Sequence, residues 1–149
     1  MIAGGCVLAA IAKSGPYCDT TDIDFFVYGG RDPFSELLAS LYASLESHRM
    51  LQSIVITNGT VTVIAASGGS QRCFQIVCID ARTARDVICS FDMDYMQCMF
   101  DGDNLYCSYA CLKALRTQAV HMYSTLKIKS ERLRKAVLKG FSIMQNAFV

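Results

Sequence analysis

Short apolar segments, separated by glycine-containing or polar turns, run through the first hundred residues of the chain. Valine, isoleucine and phenylalanine dominate residues 23–28, 53–57, 61–65 and 73–79, a composition typical of strands in a partly buried sheet. Asn58-Gly59 and Asp101-Gly102 each lie between two such segments, which indicates tight hairpins. The pattern therefore predicts a sheet that is largely antiparallel.

Other stretches have helical spacing. Residues 6–13 are almost all apolar and end at Ser14-Gly15-Pro16, and residues 34–50 carry leucines at helical intervals after an Asp32-Pro33 start signal. Further helices are predicted over 81–88 and 109–118, and another from Ser130. Together the elements predict an α/β (α+β) fold, a mixed, largely antiparallel sheet with helices packed on it. We expect one domain over 1–149, with 109–149 as a helical C-terminal extension.

Composition and charge narrow the classes of partner. The 149 residues are 52% hydrophobic, enough for one sizeable core, and the net charge is only +1 with a pI near 7.5. The molecule as a whole therefore lacks a strong field for nucleic acid or membrane. Apolar runs are shorter than a membrane span, and the first residues lack the charged start of a signal peptide. We expect a soluble protein without a membrane partner, cytoplasmic or nuclear.

Eight cysteines are many for this length, but their spacing does not favour a zinc site. None forms a Cys-x-x-Cys pair, and the two histidines, His48 and His121, are far in sequence from Cys107 and Cys111. Most cysteines lie in apolar runs. They are predicted to be reduced thiols that serve as small buried hydrophobes in a reducing compartment.

Asp22 and Asp24 are the first candidate for chemistry. Residues two apart on a strand share a face, so these carboxylates are predicted to project together, about 7 Å apart. Two carboxylates beside apolar residues cost free energy unless they are solvated, paired or bound to a cation. The chemical interpretation is a divalent ion shared with substrate phosphates. The simpler alternative is that both are solvated groups at the start of a strand.

Two other features admit a phosphate ligand. Gly4 and Gly5 precede the first apolar helix, where free backbone N–H groups bind anions and a missing Cβ permits close approach, although the pair is also consistent with a flexible lead-in. The tail over 127–139 carries six basic residues against Glu131 alone. It is either the solvated face of a terminal helix or a contact for phosphate or nucleic acid.

These motifs carry a family resemblance. Ala3-Gly4-Gly5, an apolar helix and then Thr21-Asp22-Ile23-Asp24-Phe25 resemble the signature of the nucleotidyltransferase superfamily, the DNA polymerase β-like fold. Gly-Gly-x-x-Leu and Asp-Ile-Asp-Phe-Phe-Val-Tyr-Gly are similar to a nucleotidyltransferase-like module of large DNA virus proteins. The resemblance implies an NTP bound with Mg²⁺ or Mn²⁺. It further implies transfer of a nucleoside monophosphate to a hydroxyl or phosphate acceptor, on an RNA or a protein.

The resemblance also implies roles for individual residues. Asp22 and Asp24 would be catalytic and would hold the metal, while Gly4, Gly5, Thr21 and Gln75 would line the nucleotide site. In-line attack on the α-phosphorus would follow, with metal ions stabilising the attacking and leaving oxygens.

Three departures from the family pattern leave the activity open. Cys6 follows Gly5 where the family has a serine, sixteen residues separate Gly5 from Asp22, and Gln75 falls at the position of the third carboxylate. An amide offers an oxygen but no negative charge. The replacement would have to come from elsewhere, among Asp80, Asp92 and Asp94. Three functions therefore stay open. The chain is an active nucleotidyltransferase, a catalytically degenerate one that binds a nucleotide or a protein partner, or a protein that binds nucleic acid through its basic tail.

Overall fold

A computed structural model describes residues 1–12, 22–57, 59–122 and 130–145 of the chain. Within these residues the strands are β1 (Ile2–Ala3), β2 (Asp22–Val27), β3 (Leu51–Thr57), β4 (Thr60–Ser67), β5 (Ser70–Cys78), β6 (Cys98–Phe100), β7 (Leu105–Cys107), β8 (Ala119–Met122) and β9 (Ser142–Gln145). The helices are α1 (Gly5–Ala12), α2 (Arg31–Ser47), α3 (Ala84–Cys89), α4 (Tyr109–Thr117) and α5 (Ser130–Leu138), and one 3₁₀ turn covers Asp94–Met96.

The main sheet has seven strands in the order β3-β4-β5-β2-β1-β6-β7. Only the β2–β5 pair is parallel; the other neighbours are antiparallel. The predicted mixed, largely antiparallel sheet is therefore confirmed. Both predicted hairpins are present as β3–β4 and β6–β7, although Asn58 of the first turn lies outside the described residues.

Strand β1 was not predicted from sequence, yet it joins the two parts of the sheet. Its two residues pair with β2 on one side and with β6 on the other, so Ala3 lies opposite both Asp24 and Met99. In each pair the opposed side chains share a face of the sheet. Because β1 ends where β2 and β6 begin, residues that follow β1 lie at the edge where Asp22 and Asp24 start β2.

Helices pack on both faces of this sheet. On one face α2 covers the centre, where Leu45 contacts a core that includes Val63 and Ile76. Helix α1 contributes Val7 and Leu8 to a second core with α4 and α5. On the other face Ile88 of α3 packs with Ala3 and Met99. None of the helices among the described residues has the length and hydropathy to cross a membrane.

The region after Tyr109 contains more than the helices predicted for it. Strands β8 and β9 form a separate two-stranded parallel sheet. Asp94, which is 1% exposed, connects β8 to the 3₁₀ turn. Its Oδ2 accepts a hydrogen bond from the His121 backbone N–H (3.0 Å) and lies 3.1 Å from His121 Nδ1. Its Oδ1 accepts a hydrogen bond from the Tyr95 backbone N–H (2.8 Å). This contact fixes the turn that carries Met96 to the sheet edge.

Candidate functional site

Four side chains share one face of the sheet where β2 begins beside the middle of β5. Asp22 is in register with Cys73, and Asp24 with Gln75, along the parallel β2–β5 pair. Side chains of paired residues share a face, and so do residues two apart on one strand. The two carboxylates therefore project together, and Gln75 stands beside Asp24 at the position where a third carboxylate was expected.

Asp22 and Asp24 differ in their surroundings. Asp22 is exposed, whereas Asp24 is partly buried between β1 and β5. Burial raises the pKa of Asp24, and the nearby charge of Asp22 raises it further. The pKa of Cys73 is also raised, first by burial and then by the charge of Asp22. The two carboxylates thus disfavour each other's ionisation, and a bound cation would lower that electrostatic cost.

Gly4 lies directly against the Asp24 carboxylate. A Cβ built on Gly4 would lie 3.3 Å from Asp24 Oδ2 and 3.5 Å from Met96 Cε. The backbone φ of Gly4 is +85°, a conformation that L-residues rarely adopt. The positive φ therefore favours glycine at this position, and a Cβ would be in tight contact with the Asp24 carboxylate.

The first turn of α1 begins at the same point. The Gly4 carbonyl accepts the hydrogen bond from the Leu8 N–H at 3.0 Å, so Gly5 opens the helix beside Asp24. The first N–H groups of a helix have no intrahelical acceptor and carry a positive partial charge, which favours anions. Gly4, Gly5 and the two aspartates are thus brought together, while Thr21 lies outside the described residues.

Cys6 does not supply the hydroxyl-like contact that a serine would give. Its Sγ lies 3.8 Å from the Ala3 carbonyl oxygen, and burial raises the pKa of the thiol. The side chain helps to line an apolar cavity of about 420 Å³ with Ile23 and Phe100. Those residues are on the opposite face of the sheet from Asp24. The groups at the start of α1 that could accept a phosphate are therefore backbone N–H groups.

The other aspartates considered as a third carboxylate have different partners. Asp94 is committed to His121 and Tyr95, and Asp92 forms an ion pair with Arg132 at 2.9 Å. Asp80 lines a cavity of about 640 Å³ with Gly29 and Gly30, at the far ends of β2 and β5. Across the described residues, no group of three or more histidine, cysteine, aspartate or glutamate side chains is arranged to hold a metal.

The donor set nevertheless fits one hard cation. The carboxylates of Asp22 and Asp24 and the amide oxygen of Gln75 are oxygen ligands of the kind that Mg²⁺ prefers, and Mg²⁺ often completes its shell with water and phosphate oxygens. Cys73 and Met96 border this site and were missed in the sequence. The spacing of Cys73 two residues before Gln75 is the signal that would have found it.

Comparison with protein families matches residues 1–118 to Gad2, described as the Gabija anti-defense 2 family. The chain belongs to this family. The site residues of this Gad2-family protein, from Gly4 to Gln75, all lie in the matched part, whereas α5 and β9 follow it. A comparison with curated proteins gives no match.

One similar solved structure is described as a tRNA-processing enzyme with CTP. The TM-score is 0.65 at 15% sequence identity, and the match covers 96% of this chain and 39% of that chain. At this identity the likeness shows the fold alone. The Gad2-family protein has a nucleotidyltransferase-like fold, as the sequence predicts, and spans about two fifths of the length of the solved chain.

Proposed function

We propose that this Gad2-family protein counteracts the Gabija defence system through a nucleotide-binding site at the start of β2. The site takes a nucleoside triphosphate with one Mg²⁺ or Mn²⁺. Asp22 and Asp24 hold the cation, with Gln75 beside them, and the backbone at Gly4 and Gly5 holds phosphate. Thr21 precedes Asp22 in sequence and completes the proposed nucleotide-binding residues.

The observation that carries this proposal is the contact between Gly4 and Asp24. A Cβ on Gly4 would lie 3.3 Å from the Asp24 carboxylate oxygen, so the anion-accepting helix end and the cation-accepting carboxylates border one small volume. A magnesium-bound polyphosphate has both requirements at once, because its oxygens need donors and its cation needs carboxylates. The family description supports the anti-defence role, and the fold shared with a CTP-bound enzyme supports the ligand class.

Transfer of a nucleoside monophosphate is the second candidate function, and the shared fold and the paired carboxylates favour it. An RNA or protein hydroxyl would attack the α-phosphorus in line, Asp24 would accept its proton, and pyrophosphate would leave. The metal would supply charge neutralisation. Gln75 works against this function, because two-metal catalysis needs carboxylate charge on both the attacking and the leaving side. Nucleotide binding is therefore the primary proposal.

We propose that the protein acts inside the cell that carries the Gabija system. The free thiols among the described residues, such as buried Cys98 and Cys111, suit that reducing compartment. We propose that the protein is of viral origin and is cytoplasmic.

Binding is tested by calorimetry with each NTP and Mg²⁺. The double variant Asp22→Asn with Asp24→Asn should lose nucleotide binding, whereas Asp103→Asn, in the exposed β6–β7 turn, should bind like wild type. The protein is also expressed in cells that carry the Gabija system, and the cells are infected with a genetic element that the system blocks. Wild-type protein should allow this element to propagate, whereas the double variant should not. Full anti-defence activity in the double variant would refute the proposed link between the nucleotide site and the anti-defence function.

Transfer is tested separately with labelled NTPs and candidate RNA and protein acceptors. Labelled acceptor that depends on Asp22 and Asp24 establishes the second function. Tight NTP binding without labelled acceptor restricts the protein to the first.

A further inference from the structure

A basic cavity has Met96 in common with the proposed nucleotide site. It has a volume of about 370 Å³ and is lined by Tyr95, Met96, Glu131, Arg132, Lys135 and Lys139. The charged residues come from α5 and the residue that follows it, outside the part of the chain matched by the Gad2 family. Three cationic side chains and one carboxylate therefore face the same space.

The three cations are not equivalent. Arg132 is paired with Asp92 at 2.9 Å, and Lys135 lies 3.5 Å from Glu131 on the exposed surface of α5. Lys139 is half-buried, and no carboxylate among the described residues forms an ion pair with its ammonium group. Burial lowers the pKa of Lys139, and the charge of Lys135 lowers it further. A half-buried lysine beside a second lysine is unfavourable unless an anion joins them.

Met96 connects this cavity to the proposed nucleotide site. Its Cε lies 3.5 Å from the point that a Gly4 Cβ would occupy, and Asp24 Oδ2 lies 3.3 Å from the same point. Met96 also lines the basic cavity with Lys139. A flexible, uncharged thioether is thus the side chain between the carboxylates and the cations. Met96 is therefore the residue that the surroundings of Gly4 and the basic cavity have in common.

We propose that Lys139, assisted by Lys135, binds the terminal phosphates of the nucleoside triphosphate held at Gly4 and Asp24. The inference rests on the proposed function, and it adds selectivity: the lysines favour a triphosphate over a monophosphate, which is too short to pass Met96. The triphosphate selectivity then comes from the segment after β8 and not from the glycine–aspartate motif.

The test compares Lys139→Met, which removes the charge and keeps most of the apolar stem, with Lys113→Met, an exposed lysine of α4. Dissociation constants are measured by calorimetry for one NTP and its monophosphate, both with Mg²⁺. Lys139→Met should weaken NTP binding by about ten- to a hundredfold, the effect of one charge-assisted hydrogen bond. Binding of the monophosphate should not change, Lys113→Met should behave like wild type, and Lys139→Arg should restore most of the affinity.

The outcomes separate the two proposals. Wild-type protein that binds no nucleotide refutes the proposed function and this inference with it. Wild-type protein that binds NTP, together with Lys139→Met at equal NTP affinity, refutes this inference alone, as does an equal loss for both ligands. If Lys139→Met does not fold, the exposed Lys135→Met takes its place and must show a smaller loss confined to NTP. A loss of RNA binding with unchanged NTP binding assigns the cavity to nucleic acid and overturns the proposal.

Discussion

Gln75→Glu restores the carboxylate that the nucleotidyltransferase pattern expects and is the sharpest perturbation of the proposed metal site. Gln75 stands in register with Asp24 on the neighbouring parallel strand, and adjacent strands are about 4.8 Å apart. The substitution keeps the size of the side chain and adds one negative charge. It therefore changes the electrostatics of the site with little change in packing.

The cost of that charge follows from the separation. Two unit charges about 5 Å apart repel by about 3 kcal/mol at an effective dielectric constant of about 20. Because Asp22 is exposed and this edge of the sheet is open, water screens part of the repulsion. We therefore expect Gln75→Glu to be destabilised by about 1–3 kcal/mol without metal. For a chain of this size about 1 kcal/mol corresponds to about 3 °C in the melting temperature. Gln75→Glu should therefore melt about 3–9 °C below wild type in EDTA.

Magnesium should reduce this difference in stability. Because a third carboxylate binds a divalent cation and is neutralised by it, saturating Mg²⁺ should raise the melting temperature of Gln75→Glu by more than that of wild type. Gln52→Glu, on the exposed outer strand β3, is the matched control and should respond like wild type. An unchanged melting temperature of Gln75→Glu in EDTA, or an equal response to Mg²⁺, would refute the placement of Gln75 beside a metal-binding carboxylate pair.

Two further predictions concern the aspartates. Asp94→Ala removes the carboxylate that accepts hydrogen bonds from the backbone N–H groups of His121 and Tyr95. Urea unfolding should show that the free energy of unfolding falls by about 3–5 kcal/mol. The control Asp103→Ala should stay within about 0.5 kcal/mol of wild type. A small loss for Asp94→Ala would contradict its anchoring role. Asp24→Asn should be more stable than wild type at pH 7 without metal. The pKa of Asp24 is raised in the folded state, so its stabilising contribution is complete below the unfolded value, about 3.9, and is lost as pH rises through the folded pKa. Chemical denaturation across this range should therefore show the advantage of Asp24→Asn disappear at low pH, and parallel pH profiles would contradict it.

The strands, the shared face of Asp22 and Asp24 and the start of α1 were accessible from sequence because they depend on local rules. Alternation with a period of two residues is enough to place Asp22 and Asp24 on one face, and the glycine pair before an apolar run is enough to predict a helix start. The position of Gln75 beside them follows the family pattern, and the β2–β5 register places it there. The first two inferences need no knowledge of long-range packing, whereas the place of Gln75 was available only through the family resemblance.

The parts that were missed depend on contacts between distant residues. A two-residue strand such as β1 has no periodicity to detect, so its place between β2 and β6 is invisible before folding. The β8–β9 pair and the contact between Asp94 and His121, 27 residues apart, are likewise set by tertiary packing. The basic cavity was visible only as a charge run, since its partner Met96 belongs to another part of the chain.

Strand β1 is a seam, two residues long, between a four-stranded block and the β6–β7 hairpin. Slow opening of this seam would separate the blocks and dismantle the recess at Gly4 in the same event. A ligand bound in this recess would contact both blocks and hold them together. It would slow amide hydrogen exchange in β2 and β6 together, although it touches only the ends of these strands.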